Sequence, residues 1–332
     1  MAFEIGEFPI YFGLEGPGAS GILAKALEQA RVVCKPVEAR LLTPRGDLGV
    51  LQLRNQAGAD VEARIALAED NAAGTSMTLK MRKGETRGIE FPLKRTPATV
   101  KMTVDCGEGY DSVSGSWPVA FERCAKVKFT GKVDGDLSKW AGRPCIEMRE
   151  RAQVMPPDPG IAWKGPEQFS AKVYTGWDER YFYLAAEVRD EIHSNRFPEA
   201  IWKGDCVQFA FDPLANAAAL DSKPGYGKDD IEMGVALTAK GVVVTQWAGG
   251  GEAERGIECA IKRDEAAKKT FYELRIPFRA LGLSPTAGMA FGFNFVIFND
   301  DAGAGANYWY QLTPGITGGK NPELFKKFVL EE

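Results

Sequence analysis

Short apolar runs of strand length recur along most of the chain, and turn residues such as glycine, proline and aspartate separate them. In residues 34–125 these runs are Val37–Leu42, Val50–Arg54, Val61–Leu67, Met77–Met81 and Val100–Val104. Strands this short at this spacing are typical of antiparallel sandwiches. We therefore predict that residues 34–125 form an immunoglobulin-like β-sandwich.

The second half of the chain, residues 126–332, carries a larger set of strand candidates. They are Ala171–Tyr174, Tyr181–Val188, Cys206–Phe211, Ile231–Leu237, Val242–Gln246, Cys259–Lys262, Phe271–Ile276 and Met289–Asn299. Only Pro277–Gly282 has the pattern of a short helical turn. So many strands with so little helix predict two packed sheets. The predicted fold class is all-β: an immunoglobulin-like sandwich followed by a larger antiparallel β-sandwich.

Residues 1–33 form a separate N-terminal segment, with a predicted strand at Phe8–Phe12 and a predicted helix at Ile22–Val33. The turn between them, Gly16–Gly21, matches G-x-G-x-x-G. No βαβ pattern follows it, and Pro17 removes a backbone donor that a pyrophosphate needs. We predict no dinucleotide site.

Charge and composition narrow the classes of partner and chemistry. The chain is 45% hydrophobic and 26% charged with a formal net charge of −4, which argues against nucleic acid or an anionic membrane as partner. No apolar run approaches the ~20 residues of a membrane span, and no signal-peptide pattern follows Met1. The single histidine, His193, excludes clusters of histidine ligands. The six cysteines are widely spaced, so we expect free thiols, or one or two disulfides if the protein is exported.

Several short motifs follow one another in a characteristic order after residue 133. They are Val133-Asp134-Gly135 with Trp140, Gly176-Trp177-Asp178, Ile201-Trp202 with Gly204-Asp205, Phe211-Asp212-Pro213, Phe291-Gly292-Phe293-Asn294, Asn299-Asp300-Asp301 and Asn321-Pro322-Glu323-Leu324-Phe325. In this order they resemble the family 9 carbohydrate-binding modules, a group of DOMON-like β-sandwiches. The resemblance implies a sugar-binding sandwich from residue 126 to 332.

The resemblance also implies a binding site in which two tryptophans sandwich a sugar ring above polar side chains. An indole stacks on the apolar C–H face of a pyranose, while the hydroxyls need paired donors and acceptors. Trp202 matches the first tryptophan of the family and Gln208 matches a glutamate of its site. Gly318-Gly319 stand where the second tryptophan is expected, and Gly234 stands near an expected arginine.

Other aromatic residues can supply the second wall of such a site. Trp247 precedes a glycine run, and Trp309 lies between two tyrosines. With Asn299 from the motif set, the predicted ligand-binding residues are Trp202, Gln208, Trp247, Asn299 and Trp309. Three further tryptophans are predicted to pack in the core: Trp140, Trp163 and Trp177.

Carboxylates occur in clusters that could suggest a glycosidase or a cation site. They are Asp229-Asp230 with Glu232, Asp300-Asp301, and Asp134 with Asp136. Hydrolysis needs two carboxyl groups about 5–10 Å apart across a cleft, and acidic turns are common without a metal. We predict no enzyme activity, no cofactor and no metal.

Three functions remain open. The leading hypothesis is non-catalytic carbohydrate binding by the accessory part of an exported polysaccharide-degrading protein, placed outside the cell or at its surface. The first thirty residues support it, because Gly6–Leu14 resembles the last strand of a sandwich that trails the barrel of several glycoside hydrolases. The alternative is a scaffold domain of a larger glycoside hydrolase with no ligand of its own. A haem-binding DOMON-like domain, with His193 and Met233 or Met289 as axial ligands, is a minor alternative. The oligomeric state stays open.

Overall fold

A computed structural model describes residues 2–5, 8–11, 35–70, 74–157, 163–250 and 256–332. The described chain is almost entirely β. It divides into two compact units, the first comprising residues 1–43, 47–120 and 218–221, and the second residues 44–46, 121–217 and 222–332. The predicted helix Ile22–Val33 and the turn Gly16–Gly21 lie outside the described residues. An antiparallel hairpin joins β1 (Ala2–Ile5) and β2 (Phe8–Tyr11).

Seven strands of the first unit form a sandwich of two sheets. The strands are β3 (Val37–Arg45), β4 (Leu48–Asn55), β5 (Val61–Glu69), β6 (Thr75–Met81), β7 (Thr86–Pro92), β8 (Ala98–Asp105) and β9 (Val113–Val119). One sheet has the order β3-β4-β7 and the other β6-β5-β8-β9. Side chains alternate between core and solvent: Val61, Ala63 and Ile65 of β5 are buried. The predicted immunoglobulin-like sandwich is confirmed.

The second unit contains thirteen further strands. They are β10 (Glu122–Lys126), β11 (Ile146–Met148), β12 (Val154–Met155), β13 (Phe169–Trp177), β14 (Tyr181–Asp190), β15 (Cys206–Asp212), β16 (Ile231–Thr238), β17 (Gly241–Ala248), β18 (Glu258–Asp264), β19 (Lys269–Pro277), β20 (Ala290–Asn299), β21 (Tyr308–Gln311) and β22 (Lys326–Glu331). Its helices are single 3₁₀ turns at Leu137–Trp140, Arg151–Gln153, Ile201–Lys203, Phe278–Leu281 and Pro322–Leu324. No described helix has the length and apolar character that a membrane crossing requires.

These strands form one continuous sheet that folds back on itself. Its main order is β17-β16-β15-β20-β22-β10-β13-β14-β19-β18, with β11, β12 and β21 attached at the sides. Phe182 of β14 lies 5.2 Å from Phe211 of β15 and 5.4 Å from Phe293 of β20 between ring centroids. The two halves of the sheet therefore face each other across one aromatic core, which confirms the predicted larger sandwich.

Strand β10 belongs to this sheet and not to the first sandwich. It pairs in parallel with β22 and β13, so its hydrogen bonds lie in the second unit. The prediction placed residues 122–125 at the end of the first domain, whereas the contacts divide the chain after residue 120. The difference arises because strand pairing, and not chain order, decides which core a strand joins.

Alternation along β15 creates a second, outward surface. Val207, Phe209 and Phe211 point into the core between the layers, whereas Cys206 and Ala210 belong to a separate apolar cluster on the opposite face. That cluster consists of Ile201, Cys206, Ala210, Ala236, Val296, Phe298, Ile316 and Phe325, with Tyr226, Val243, Ala306 and Trp309 packed against it. This outer face of β15, β16 and β20 is the floor of the site described next.

The described cysteines are all free thiols: Cys106, Cys124, Cys145, Cys206 and Cys259. Cys124 and Cys206 are buried, and burial raises the pKa of each thiol. Trp140 and Trp177 are buried as predicted, and Trp163 packs against the core between the layers.

Candidate functional site

An open pocket of about 780 Å³ lies over this outer face. Its described lining is Phe197, Trp202, Lys203, Gln208, Tyr226, Glu232, Trp247, Ala248, Phe298, Ala304, Gly305, Ala306, Trp309, Ile316, Thr317, Gly318 and Lys320. Four of the five predicted ligand-binding residues are among them: Trp202, Gln208, Trp247 and Trp309. The pocket therefore brings together tryptophans that lie far apart in the sequence.

Trp202 stands on the 3₁₀ turn Ile201–Lys203. Ile201 is buried beneath it, while the Trp202 side chain is 47% exposed. Asn195 holds the turn, since its Nδ2 donates to the carbonyl oxygens of Ile201, at 2.9 Å, and of Asp205, at 3.1 Å. A large apolar side chain that is exposed on a fixed turn is available for a ligand.

Trp247 reaches the pocket because of a β-bulge. Met233 of β16 pairs with Gln246, but Glu232 pairs with Ala248, so Trp247 is an extra residue in β17. Bulges re-aim side chains and are frequent beside functional sites. The Trp247 ring lies over Gly234, where an added Cβ would stand only 2.5 Å from its Cη2 atom. The missing side chain of Gly234 therefore leaves the space in which the Trp247 ring lies.

Trp309 lies in β21, opposite Phe298 of β20. The two ring centroids are 5.6 Å apart, with Phe298 supporting the indole from the sheet. Trp309 Nε1 is buried and has no hydrogen-bond partner within the described protein. Its indole N–H is therefore an available donor.

The polar floor of the pocket centres on Glu232, which is only 1% exposed. Its Oε1 accepts hydrogen bonds from Gln208 Nε2 and from Lys320 Nζ, the latter at 2.7 Å. A buried carboxylate needs such partners to be tolerated. Lys320 thus supplies a cation to Glu232, which lies two residues before Gly234, the position near which the family resemblance implied an arginine.

Two further polar atoms of the floor, Glu232 Oε2 and the Tyr226 hydroxyl, are buried and make no hydrogen bond of good geometry to the described protein. The Tyr226 hydroxyl faces the Glu232 carboxylate, which acts as its acceptor. Burial raises the pKa of Tyr226, and the Glu232 carboxylate raises it further, so the phenol keeps its proton. Buried polar atoms without partners are uncommon in proteins and indicate a missing water or ligand.

Asn299 does not line this pocket, in contrast to the prediction. Its side chain is fully buried at the end of β20, and its Nδ2 lies 3.3 Å from Asp190 Oδ1 as donor. The residue follows Phe298, which does face the pocket, and successive strand residues point to opposite faces. The sequence motif therefore marks a structural position here.

Two groups of acidic side chains could offer oxygen ligands to a cation. In each group, Asp190 with His193 and Asp205, and Asp212 with Asp229 and Asp230, the ligand atoms lie within 4.8 Å of one another.

Most of these carboxylates accept hydrogen bonds from backbone N–H groups of neighbouring loops, which is a structural role. Asp205 accepts from the backbone N–H of Ser194 and, at 2.8 Å, from that of Asp300. The other predicted candidates, Asp134 and Asp136, accept N–H groups within their own turn. The absence of a metal site stays a prediction.

The residues considered for haem are already engaged elsewhere. Met233 is fully buried in the core between the layers, and Met289 packs against the same core. His193 Nε2 lies 3.0 Å from the carbonyl oxygen of Leu237. These side chains do not converge on the described pocket.

The pocket lining includes the three tryptophans predicted from the sequence. It also includes Glu232, Lys320 and Tyr226, which were not predicted to bind a ligand. A signal for Glu232 existed, because it lies two residues from Gly234 on a predicted strand and must share its face. Lys320 and Tyr226 lie in irregular loops, where side-chain direction has no sequence period.

Part of the chain matches a known protein family. The family model described as "Carbohydrate family 9 binding domain-like" matches residues 150–332. The chain matches no curated protein. It is similar to two solved structures of a carbohydrate binding module family 9 from Caldicellulosiruptor kristjanssonii, one in complex with cellotriose and one with glucose. Each has 20% identity and a TM-score of 0.48 over 63% of this chain, covering 94% and 96% of those chains respectively.

The family match covers more than half of the chain and includes every strand from β13 to β22. It also includes the complete lining of the pocket. The chain therefore belongs to the carbohydrate family 9 binding domain-like family.

Proposed function

We propose that the pocket of the second unit binds a carbohydrate ring without changing it chemically. The observation that carries this proposal is the convergence of Trp202, Trp247 and Trp309 over a floor of buried polar groups. Sugars present apolar C–H faces together with hydroxyl groups, and a site of this composition suits both. Family membership of residues 150–332 supports the same function.

The hydrogen-bonding groups of the floor match what a sugar hydroxyl offers. Glu232 Oε2 can accept, Trp309 Nε1 can donate, and the Tyr226 oxygen can accept while its proton lies toward Glu232. A hydroxyl both donates and accepts, so one ring can satisfy several of these atoms at once. We therefore expect the ring to lie against the tryptophans with its hydroxyls toward Glu232.

The pocket does not support glycoside hydrolysis. Glu232 is the only carboxylate among its described lining residues, and Gln208 and Lys320 already contact it. Both retaining and inverting mechanisms need a second carboxyl group across the scissile bond. A binding role follows more directly than a catalytic one.

We further propose that the chain is the accessory part of an exported polysaccharide-degrading protein, at the cell surface or outside it. A sugar-binding unit that follows, along the chain, a sandwich whose described residues form no candidate site fits a role in holding an enzyme near its substrate. Fractionation of the source cells tests this proposal. Recovery in the cytosolic fraction would contradict it.

A scaffold role without a ligand is the competing function, and one observation favours it. Gly318 lines the pocket where the family's second tryptophan was expected, and no side chain fills the space beside it. The scaffold function predicts that no sugar raises the unfolding temperature of the second unit.

Calorimetric titration with a panel of neutral mono- and oligosaccharides, including glucose and cellotriose, tests sugar binding. We expect at least one ligand to bind with a Kd on the order of 0.1–1 mM, because few contacts offset the cost of association. No heat with any glycan, together with no retardation in affinity gels, would leave the scaffold function.

A further inference from the structure

The pocket carries positive charge although the whole chain has a net charge of −4. Its described lining contains two lysines, Lys203 and Lys320, and one carboxylate, Glu232. Lys320 Nζ lies 2.7 Å from Glu232 Oε1, so these two charges form a pair. Among the described lining residues, Lys203 therefore has no carboxylate left to balance it.

The Lys203 ammonium lies over aromatic rings. Its Nζ is 5.4 Å from the centroid of the Trp202 ring and 6.0 Å from that of Phe197. Such cation–π contacts hold an ammonium without neutralising it. The aromatic wall of the pocket thus carries a cation at its surface.

Backbone hydrogen bonds hold the main chain of Lys203 at the pocket wall. The Lys203 carbonyl oxygen accepts from Ala306 N at 2.5 Å, and its N–H donates to the Ala200 oxygen at 2.9 Å. A ring that stacks on Trp202 therefore lies within reach of the ammonium, whose four-carbon stem is flexible.

We propose that the pocket takes an acidic sugar, a uronic acid whose C6 carboxylate binds Lys203 Nζ. This inference rests on the proposed function, that the pocket binds a carbohydrate ring. A uronate keeps the C–H face and ring hydroxyls of the neutral sugar and adds one carboxylate. Hydrogen bonds between ammonium and carboxylate are stronger than neutral ones, and the Glu232 carboxylate does not repel the ligand because Lys320 is paired with it.

The test compares sugars that differ only at C6. Titration calorimetry of the full chain with glucuronate against glucose, and galacturonate against galactose, gives an acid-to-neutral affinity ratio for each pair. We expect a ratio of about five to ten at low ionic strength, since Lys203 is exposed and its charge partly screened. The ratio should fall toward one in about 0.5 M salt, where the screening length is only a few ångströms.

Lys203→Met keeps an apolar stem of similar shape and removes the charge, so the ratio should fall to about one. Lys240→Met is the matched control, because Lys240 pairs with Glu199 outside the pocket lining and the ratio should be unchanged.

Equal binding of acid and neutral sugars by the unmodified chain overturns the acidic-sugar inference and leaves carbohydrate binding intact. A ratio that survives Lys203→Met but disappears in Lys320→Met overturns the assignment to Lys203. No binding of any sugar overturns the proposed function itself.

Discussion

At the scale of single residues, the most informative pair is Gly234 and Trp247. A glycine at position 234 initially reads as a lost contact, because it has no side chain to offer a ligand. In the structure its missing Cβ is what lets the Trp247 ring lie against β16. The two positions therefore act together on the shape of the pocket.

Gly234→Ala should weaken sugar binding by displacing the Trp247 ring. The added Cβ would meet Trp247 Cη2 at 2.5 Å and Cζ3 at 2.7 Å, so the ring must move. We expect a loss of affinity similar to that of Trp247→Ala, measured by calorimetric titration. In the double variant the losses should not add, because both changes act on the same ring. Fully additive losses would show that Gly234 acts independently of Trp247.

Trp202→Ala should reduce affinity while leaving stability nearly unchanged. Stacking on one ring contributes about 1–3 kcal/mol by analogy with base–aromatic stacking, which corresponds to a roughly five- to 150-fold loss. The side chain is 47% exposed, and exposed substitutions usually change the free energy of unfolding by less than about 0.5 kcal/mol. Titration and thermal unfolding measure the two effects.

The control for Trp202→Ala is Trp117→Ala, which removes an indole in the first unit. It should leave sugar affinity unchanged. Equal affinity of the Trp202 variant and the unmodified chain would contradict a ligand contact at Trp202.

The sequence indicated the aromatic residues of the pocket lining better than its polar ones. The chain has only seven tryptophans, so each can be weighed individually, and Trp202 lies in a recognisable motif. Glu232 and Lys320 look like ordinary surface charges until the fold buries the carboxylate and brings a residue 88 positions away to it. Asn299 shows the opposite error, since one step along a strand decides which face a motif residue serves.

At the scale of elements, the end of β14, the start of β15 and the end of β20 bring buried carboxylates together. Asp190 ends β14 and Asp205 precedes β15. Burial raises the pKa of Asp190 to about 7, opposed by the Ile192 N–H and reinforced by the Asp301 carboxylate. Burial likewise raises the pKa of Asp205, with the Asp190 charge adding to it.

The free energy of unfolding should therefore fall as the pH rises from about 4 to about 7, because Asp190 loses its proton over this range. A folded pKa above the unfolded one means that the folded state holds a proton the unfolded state has lost, so ionisation penalises the fold. The free energy of unfolding of Asp190→Asn, taken relative to that of the unmodified chain, should rise by about 2–4 kcal/mol from pH 4 to pH 8. Urea unfolding at several pH values measures the difference.

Asp221→Asn, which removes an exposed carboxylate, is the control for the pH dependence. Its unfolding free energy relative to the unmodified chain should show no comparable rise with pH. A pH-independent effect of Asp190→Asn would show that Asp190 is ionised at neutral pH in the folded protein.

Two strands of the first unit that were not predicted from the sequence, β7 and β9, share a physical cause. β7 contains Gly88 and ends in Pro92, and β9 contains Gly115 and Pro118. Each lies at the edge of its sheet, where proline and glycine are tolerated and one side of the strand needs no partner. The predicted strands were mostly central or strongly alternating, and they were found within a few residues of their expected ends.

At the scale of the whole molecule, the two units have separate cores. Leu51 and Leu53 are fully buried in the first unit, and Phe209 and Phe293 in the second. Local patterns predicted the immunoglobulin-like sandwich, whereas the folded-over sheet of the second unit depends on pairings between distant strands. The periodicity of apolar residues within a strand does not indicate which distant strand it pairs with.

Leu51→Ala should destabilise the first unit without changing sugar affinity. Removing a buried leucine side chain costs about 2–5 kcal/mol, and scanning calorimetry should show one unfolding transition moving down. A saturating sugar should raise the other transition, because ligand binding stabilises only the unit that holds the site. Phe209→Ala is the reciprocal variant and should lower the transition that the sugar raises. A single transition shifted by both variants would mean that the units unfold together.

The parallel pairing of β22 with β10 has a consequence for how the protein is made. β22 lies between β20 and β10, and the residues it joins to β10 are about 200 positions apart in the chain. During synthesis the ribosome delivers β10 early and β22 late, so the sheet cannot close until nearly all of the second unit has emerged. Long-range contacts of this kind slow folding, and the intermediate exposes open strand edges meanwhile. The nascent chain is therefore most vulnerable to misassociation just before these last strands arrive, and chaperone demand should peak at that stage of translation.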